Sequence, residues 1–160
     1  MELLSARQMS EPVIPPERWV GVVDDEPSLR GSLARVLRLQ GIRVETFASG
    51  EEFLLRLERG EPDCLVLDVH LGGLSGFEVQ DILRARGTPP PIIFITAHDE
   101  IPSSRLCAAA GPCGYLRKPF DVNALITRVH YLLGRTVHDE PEVADTRSRR
   151  HESHHSLHWT

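Results

Sequence analysis

The segment "CLVLDVHLGGLSGFE" (residues 64–78) contains an apolar run, a glycine-rich turn and the start of a helix. The run at 64–67 is continuous rather than alternating, which is typical of a parallel strand that is covered on both faces. Ser75 and Glu78 have the S-x-x-E spacing of a capping box, in which each side chain bonds an orphan backbone donor. The segment therefore predicts a strand–loop–helix unit with the carboxylate of Asp68 where the strand ends.

The same unit recurs on both sides of this segment. Each candidate strand is followed by a helical pattern, including a second capping-box spacing at Ser49 and Glu52 and a short, alanine-rich helix near 102–110. Five such units predict an α/β fold, a five-stranded parallel sheet sandwiched between helices, for which the flavodoxin-like order 2-1-3-4-5 is the common solution. The candidate strands are 19–23, 43–47, 64–67, 91–95 and 114–116.

The two ends of the chain differ from its middle. Residues 1–17 and 136–160 are polar, the first rich in proline and the second in histidine. Neither end contains enough apolar surface to offset the entropy of ordering, so both are predicted to be disordered tails. One domain is expected between them, over residues 18–135.

Composition excludes several classes of protein. A formal charge of −5 and a pI of about 5.9 argue against binding to nucleic acid. No apolar run approaches the roughly 18 residues that span a bilayer. The three cysteines, Cys64, Cys107 and Cys113, form no disulfide framework, which fits a reducing compartment. We therefore expect a cytoplasmic protein without a membrane partner.

Polar side chains follow four of the five candidate strands. Asp24 and Asp25 follow the first strand, Asp68 the third, Thr96 the fourth, and Lys118, the only lysine in the chain, the fifth. Each of them could be an ordinary surface residue or helix start, but chance does not easily explain reactive polar residues at all four strand ends. Because ligands bind beyond the carboxyl ends of parallel strands, these side chains are predicted to converge on one site.

The mutual repulsion of three carboxylates in one site must be relieved by a proton or a cation. Two unit charges about 4 Å apart at an effective dielectric near 20 repel by roughly 4 kcal/mol. Either one carboxylate is protonated or a cation lies among them. A hard divalent cation, Mg2+ or Mn2+, fits oxygen ligands better than zinc does. A metal, a carboxylate, a hydroxyl and an ammonium together suit phosphoryl transfer onto the carboxylate.

Four motifs, in this order, resemble the receiver domain of bacterial two-component response regulators. They are "VVDDEPSLR" (22–30), "LVLDVHLGGLSGFE" (65–78), "IIFITAH" (92–98) and "GYLRKPF" (114–120). The resemblance covers about residues 18–135 and suggests a single-domain regulator similar to the chemotaxis regulators.

The resemblance implies a role for each acidic position. Asp68 would be the phospho-acceptor. Asp25 and Asp68 would ligate Mg2+ directly, and the backbone carbonyl of His70 would supply a further oxygen. Asp24 would act mainly through a metal-bound water.

It also implies roles for the later strands. Thr96 would bond a phosphoryl oxygen, and Lys118 would pair with phosphorylated Asp68. The Lys118–Pro119 peptide bond would be cis. Tyr115 would be the switch aromatic, rotating inward as Thr96 moves toward the phosphoryl group. Ala97 would provide the small residue that the family has beside that group.

Two departures and two histidines stand out against this pattern. Gly72 occupies a position where the family often has proline, and Pro112, where alanine is usual, predicts a shortened or frayed fourth helix. His70 and His98 lie two residues beyond Asp68 and Thr96. With an unperturbed pKa near 6.5, they are predicted to make the phospho-aspartate lifetime vary between about pH 6 and 8. The alternative is two solvated loop histidines.

These observations favour a single-domain response regulator and not an enzyme. It would accept a phosphoryl group from a histidine kinase or phosphotransfer protein, lose it by autodephosphorylation, and switch protein–protein contacts. Its output face would comprise the fourth helix, the fifth strand and the fifth helix, with a phosphorylation-dependent homodimer as one outcome. The stretch after residue 135 is too short for a DNA-binding domain, so nucleic-acid binding is not expected.

Three alternatives remain open. A phosphate sink without its own output fits the same residues. A haloacid dehalogenase-type phosphatase also uses Asp, Thr and Lys at strand ends, but it needs a second aspartate where this chain has His70. Its metal-binding acids follow the lysine, whereas Asp24 and Asp25 stand on the first strand. A receiver that is never phosphorylated is disfavoured because every chemical position is filled.

Overall fold

The computed structural model describes residues 18–87, 89–97, 101–110 and 114–134, in which five strands alternate with five helices. The predicted tails (1–17 and 136–160), His98 and Pro112 lie outside the described residues. A 3-10 turn at Leu57–Arg59 follows the second helix. The strands are β1 (Trp19–Val23), β2 (Arg43–Phe47), β3 (Cys64–Asp68), β4 (Ile92–Thr96) and β5 (Tyr115–Arg117). The helices are α1 (Pro27–Leu39), α2 (Gly50–Arg56), α3 (Gly76–Arg86), α4 (Ser103–Ala110) and α5 (Val122–Leu132).

The five strands form one parallel sheet in the order β2-β1-β3-β4-β5. This confirms the predicted flavodoxin-like order. In the register of the sheet, Asp68 lies opposite Ile95 of β4, and Thr96 lies opposite Arg117 of β5. The carboxyl ends of β1, β3, β4 and β5 therefore meet at one edge.

Helices cover both faces of the sheet. Successive side chains of a strand point to opposite faces, so each central strand contributes to two cores. One core packs the sheet against α1 and α5, and the other packs it against α2, α3 and α4. β1, β3 and β4 are buried along their whole length, as their continuous apolar runs predict. The first core includes Val20, Val22, Cys64, Val66, Ile93 and Ile95, and the second includes Val23, Leu65, Leu67 and Phe94.

Two strands begin one residue later than predicted. β4 starts at Ile92, because Pro91 has no N–H to donate and only its carbonyl takes part, accepting from the Leu65 N–H at 2.9 Å. β5 starts at Tyr115, because Gly114 has a φ of 71°, in the left-handed region that a strand residue does not adopt. The shift makes Thr96 the last residue of β4.

Local sequence signals account for the helix ends. Gly41 and Gly134, with φ of 73° and 65°, follow α1 and α5 as C-terminal stops. α3 begins with a complete capping box between Ser75 and Glu78. No helix among the described residues is long and apolar enough to cross a membrane.

Candidate functional site

The turn after β1 presents the first two carboxylates. Asp24 is fully buried and Asp25 is exposed. The Asp24 N–H donates to the Phe47 carbonyl of β2 at 3.2 Å, and its Oδ1 accepts from the Glu26 N–H at 2.8 Å. The Arg30 guanidinium, one turn into α1, donates to the Asp24 carbonyl oxygen at 2.7 Å. These bonds fix the acidic turn in place before any ligand binds.

Lys118 joins the ends of β1 and β3. Its Nζ lies 3.0 Å from Oδ2 of Asp24 and 3.0 Å from Oδ2 of Asp68. The other oxygen of Asp68, Oδ1, accepts from the His70 N–H at 3.0 Å. Asp68 is 4% exposed, so its carboxylate is held from two sides in a nearly dry setting.

The carboxylates of Asp24, Asp25 and Asp68 form one cluster. One oxygen from each lies within 4.8 Å of the other two. Three negative charges against the single ammonium of Lys118 leave an excess of negative charge, which a divalent cation would neutralise. An all-oxygen donor set of this kind fits Mg2+ or Mn2+. The backbone carbonyl of His70 as a further ligand stays a prediction.

The pKa values of Asp68 and Lys118 reflect this excess of negative charge. Burial raises the pKa of Asp68 to about 6 and the charge of Asp24 adds to the rise, although hydrogen bonds from Lys118 and His70 oppose it. Burial alone would lower the pKa of Lys118, but its hydrogen bonds to Asp68 and Asp24 outweigh that effect and the pKa is raised. Lys118 therefore remains an ammonium, and the site still lacks positive charge.

The ends of β4 and β5 complete the edge. Thr96 is fully buried at the end of β4, and Ala97 after it is exposed. The Lys118 N–H donates to the Thr96 carbonyl at 2.8 Å, which ties the two strand ends together. The Lys118–Pro119 peptide bond is cis. The proposed roles of Thr96 and Ala97 toward a phosphoryl group stay predictions.

The predicted switch residue, Tyr115, lies on the side of the sheet that α4 covers. Its half-buried ring packs against that core. The Arg117 guanidinium lies 5.7 Å from the centre of the ring and donates to the Ile101 carbonyl, just before α4, at 2.9 Å. Tyr115 and Arg117 together link β5 to the start of α4.

Two arginines at this edge were not predicted as site residues. Arg30 holds the Asp24 carbonyl, and Arg117 holds the Ile101 carbonyl. Both carry a positive charge within a motif that the sequence marks, "VVDDEPSLR" and "GYLRKPF". Backbone carbonyls, however, leave no trace in a sequence, so residue type alone does not reveal these contacts. Of the two proposed tuning histidines, His70 has an exposed side chain and His98 lies outside the described residues.

A groove opens beside Lys118 between α1 and the loop that leads into α5. It has a volume of about 580 Å³ and is mostly apolar. The exposed and half-buried arginines of α1, Arg30, Arg35 and Arg38, make this helix basic, and no acidic residue lies between Pro27 and Leu39. The groove is lined by Leu29, Ser32, Leu33, Val36, Lys118, Pro119, Phe120 and Val122.

Comparison with known sequences identifies similar proteins. The C4-dicarboxylate transport transcriptional regulatory protein DctR of Rhodobacter capsulatus is 38% identical over 109 residues, 67% of this chain and 55% of DctR. Response regulator MprA of Mycobacterium ulcerans is 40% identical over 125 residues, 78% of this chain and 54% of MprA. The chain thus spans about half the length of these relatives.

Comparison with solved structures gives the same result. A response regulator receiver protein from Burkholderia phymatum is 43% identical with a TM-score of 0.64, covering 74% of this chain and 97% of the other. Response regulator TrrA from Thermotoga maritima, solved in complex with Mg2+ and BeF, is 33% identical with a TM-score of 0.64, covering 72% and 98%. Residues 20–130 match the family model described as the response regulator receiver domain. The chain belongs to the family of response regulator receiver domains.

Proposed function

We propose that Asp68 accepts a phosphoryl group from a phosphohistidine of a sensor histidine kinase or of a phosphotransfer protein. The observation that carries this proposal is the position of the Lys118 ammonium, 3.0 Å from both Asp24 and Asp68, inside a cluster of three carboxylates. An aspartate held beside a point cation and a cation-binding cluster is arranged to become a phosphorylated carboxylate.

The reaction is a transfer between two nucleophiles. A carboxylate oxygen of Asp68 forms a bond to phosphorus while the bond between phosphorus and the donor's histidine nitrogen breaks. Asp24, Asp25 and Asp68 would hold Mg2+ or Mn2+, with the His70 carbonyl, and the bound metal supplies positive charge for the phosphoryl oxygens. Lys118 neutralises one phosphoryl oxygen from the other side, and the Thr96 hydroxyl donates to another.

Asp68 acts as a stoichiometric acceptor rather than as an enzyme's nucleophile, and the acyl phosphate is lost by autodephosphorylation. A haloacid dehalogenase-type phosphatase requires an acid–base aspartate where His70 stands. His70 instead presents its N–H to Asp68 and has an exposed side chain. No second acid group therefore stands ready at that position to drive turnover.

Labelling experiments separate these two activities. Incubation with radiolabelled acetyl phosphate and Mg2+ is expected to give one acid-labile label per chain, absent from the Asp68→Asn variant. Continuous release of nitrophenol from p-nitrophenyl phosphate would favour the phosphatase instead. Failure of the wild type to take up label, with Mg2+ present, would contradict the proposal.

The partners follow from the surfaces around the site. The apolar groove along the basic helix α1 opens beside Lys118, so a helical donor protein with acidic flanks could deliver its phosphohistidine there. The output surface is the α4-β5-α5 face, which contains Tyr115 and Arg117. A protein target, or a second copy of the chain in a phosphorylation-dependent homodimer, would bind this face.

Two further features belong to the proposal. We place the protein in the cytoplasm, where a histidine kinase can phosphorylate it. We also propose that its output is a protein contact and not nucleic-acid binding, in keeping with its charge of −5. The match to a relative named as a transcriptional regulator covers only 55% of that protein, so the single-domain architecture stays a prediction. A phosphate sink would accept the phosphoryl group in the same way and differ from the proposed regulator only in binding no output target.

A further inference from the structure

The first turn of α2 packs directly against the loop that follows β3. This acceptor loop, residues 69–75, begins next to Asp68 and contains two glycines, Gly72 and Gly73. A Cβ on Gly50, the first residue of α2, would lie 2.5 Å from Cγ2 of Val79 and 3.6 Å from Cβ of Leu74. Glycine at position 50 thus allows α2 to touch both the loop and α3.

Glu51 bonds the acceptor loop from α2. Its Oε1 accepts from the Leu74 N–H at 2.8 Å, across 23 residues of sequence. A Cβ on Gly73 would lie 2.3 Å from the same oxygen, so the carboxylate rests against the bare backbone of Gly73. The Leu74 N–H, followed by the N–H of Glu51 itself, lowers the pKa of this carboxyl group. Glu51 therefore stays ionised and can hold the loop at neutral pH.

The neighbouring glutamate has the ordinary capping role. The Ser49 hydroxyl accepts from the Glu52 N–H at 3.2 Å, and Glu52 accepts from the Ala48 N–H at 3.0 Å. The predicted box is therefore formed only in part, because the Glu52 carboxylate bonds the N–H of Ala48 and not that of the N-cap residue Ser49. Glu51 also interacts with the Ser49 side chain and with its own N–H, but its bond to the Leu74 N–H reaches outside the helix and serves the loop.

The loop is anchored at both ends. At its start, the Val69 N–H donates to the Ile95 carbonyl at 2.9 Å, and the Val69 carbonyl accepts from the Gly76 N–H at 2.9 Å. At its end, the bond from Glu51 to Leu74 closes the segment. Between these anchors lies Gly72, which has open space around its Cα and, lacking a side chain, does little to restrict the conformations of the loop.

We propose that Glu51 is a positioning residue that stiffens this glycine-containing loop and holds it in the geometry that binds the divalent cation. The proposal rests on the proposed function, because it assigns the loop's His70 carbonyl to the metal site. A loop released at Leu74 samples more conformations, and ordering it again on binding costs affinity.

The test compares Glu51→Ala with two matched variants. Mg2+ affinity is measured by isothermal titration calorimetry on the unphosphorylated chain. We expect Glu51→Ala to bind Mg2+ about threefold to tenfold more weakly, the net effect of losing one solvent-exposed hydrogen bond. Glu51→Gln keeps an acceptor oxygen and should regain most of the affinity. Glu52→Ala, which removes the carboxylate bond to the Ala48 N–H at the start of the same helix, should lower thermal stability and leave Mg2+ affinity within about twofold.

Gly73→Ala provides an independent test of the same proposal. Its methyl group would displace the Glu51 carboxylate, so it should weaken Mg2+ binding as Glu51→Ala does. In the Glu51→Ala background the same methyl group has no carboxylate to displace, and a double-mutant cycle should show strong non-additivity. Amide hydrogen exchange should show faster exchange at Leu74 in both single variants.

Equal Mg2+ affinity for wild type and Glu51→Ala, with Leu74 exchanging faster, would overturn the proposal. Equal weakening by Glu51→Ala and Glu52→Ala would also overturn it, since the effect would then belong to the helix as a whole. A wild-type chain that binds Mg2+ but takes no label from acetyl phosphate would contradict the proposed function alone.

Discussion

Asp68 is a buried carboxylate, and its bonds from Lys118 and His70 only partly offset the cost of burying its negative charge. Its pKa is about 6 in the folded chain against an ordinary value of 3.8, mainly because burial disfavours the charged form. Above about pH 6 the folded state therefore carries the full cost of the charge. Between about pH 6 and 3.8 the folded state takes up the proton first, so this cost disappears as the pH falls.

Asp68→Asn should therefore stabilise the metal-free protein at neutral pH. We expect the free energy of unfolding in EDTA at pH 7.5 to rise by about 1–2 kcal/mol after solvent screening near the mouth of the site. At pH 4 the gain should largely vanish. Urea titrations at both pH values measure it. Asp121→Asn, on the exposed N-cap of α5, is the control and should show no such gain. An Asp68→Asn variant less stable than wild type at pH 7.5 would contradict this account.

Lys118 has a geometry that arginine does not reproduce. A single ammonium lies 3.0 Å from an oxygen of Asp24 and 3.0 Å from an oxygen of Asp68, with 18% of its side chain exposed. A guanidinium is planar and wider, and its donors form a fixed fork. Lys118→Arg keeps the charge but not the single point of contact.

We expect Lys118→Arg to accept a phosphoryl group on Asp68 and yet fail to switch. Labelling by acetyl phosphate should stay within about tenfold of wild type, since one such contact contributes roughly 1.4 kcal/mol. The signals of Tyr115 in NMR spectra should no longer change on phosphorylation. Arg43→Lys, a surface substitution on β2, serves as control. A normal response of Tyr115 in the Lys118→Arg variant would show that any cation suffices.

The observed strands show which parts of the fold can be predicted from sequence patterns. Continuous apolar runs predicted the three central strands, because strands buried on both faces need apolar side chains throughout. The predicted starts of β4 and β5 were wrong by one residue. Pro91 and Gly114 stand just before these strands, and their backbone properties, which hydrophobicity does not report, keep them out of the strands. The same limit applies at the site. Strand-end residues could be predicted from topology, whereas Glu51 and Arg117 bond backbone groups of segments that lie well away from them in the sequence.

Helix α1 should discriminate between phosphodonors. Val36 lines the apolar groove, whereas Leu39, one turn later, is 76% exposed and does not. Val36→Glu places a charge where a donor helix would bury apolar surface, so transfer from a histidine kinase that labels the wild type should slow by about tenfold or more. Acetyl phosphate is too small to need the groove, and its labelling rate should be unchanged.

Leu39→Glu is the matched control for this experiment. It adds the same charge to the same helix but outside the groove, and transfer from both donors should match wild type. Equal slowing by Val36→Glu and Leu39→Glu would indicate that the charge of α1, and not the groove, governs recognition. Slowing with acetyl phosphate as well would place the defect in the site itself.

In the whole molecule, β5 connects the proposed phosphorylation site with the proposed output face. β5 carries Tyr115 and Arg117 toward α4 and leads directly into Lys118. On the proposed function, a phosphoryl group on Asp68 would add negative charge beside Lys118 and would change the equilibrium between two arrangements of this segment. The bond from Arg117 to the Ile101 carbonyl would link that change to the start of α4.

Phosphorylation should therefore alter binding at the α4-β5-α5 face. We expect the phosphorylated chain to bind its protein target, or a second copy of itself, about 5-fold to 100-fold more tightly than the unphosphorylated chain. Pull-down and analytical ultracentrifugation with acetyl phosphate and Mg2+ would measure this, with Asp68→Ala as the unphosphorylated control. Arg117→Ala should take up label normally and lose the change in binding, because its contact with Ile101 lies outside the site. Binding that is independent of Asp68 would favour a phosphate sink, in which the label is stored and no surface responds.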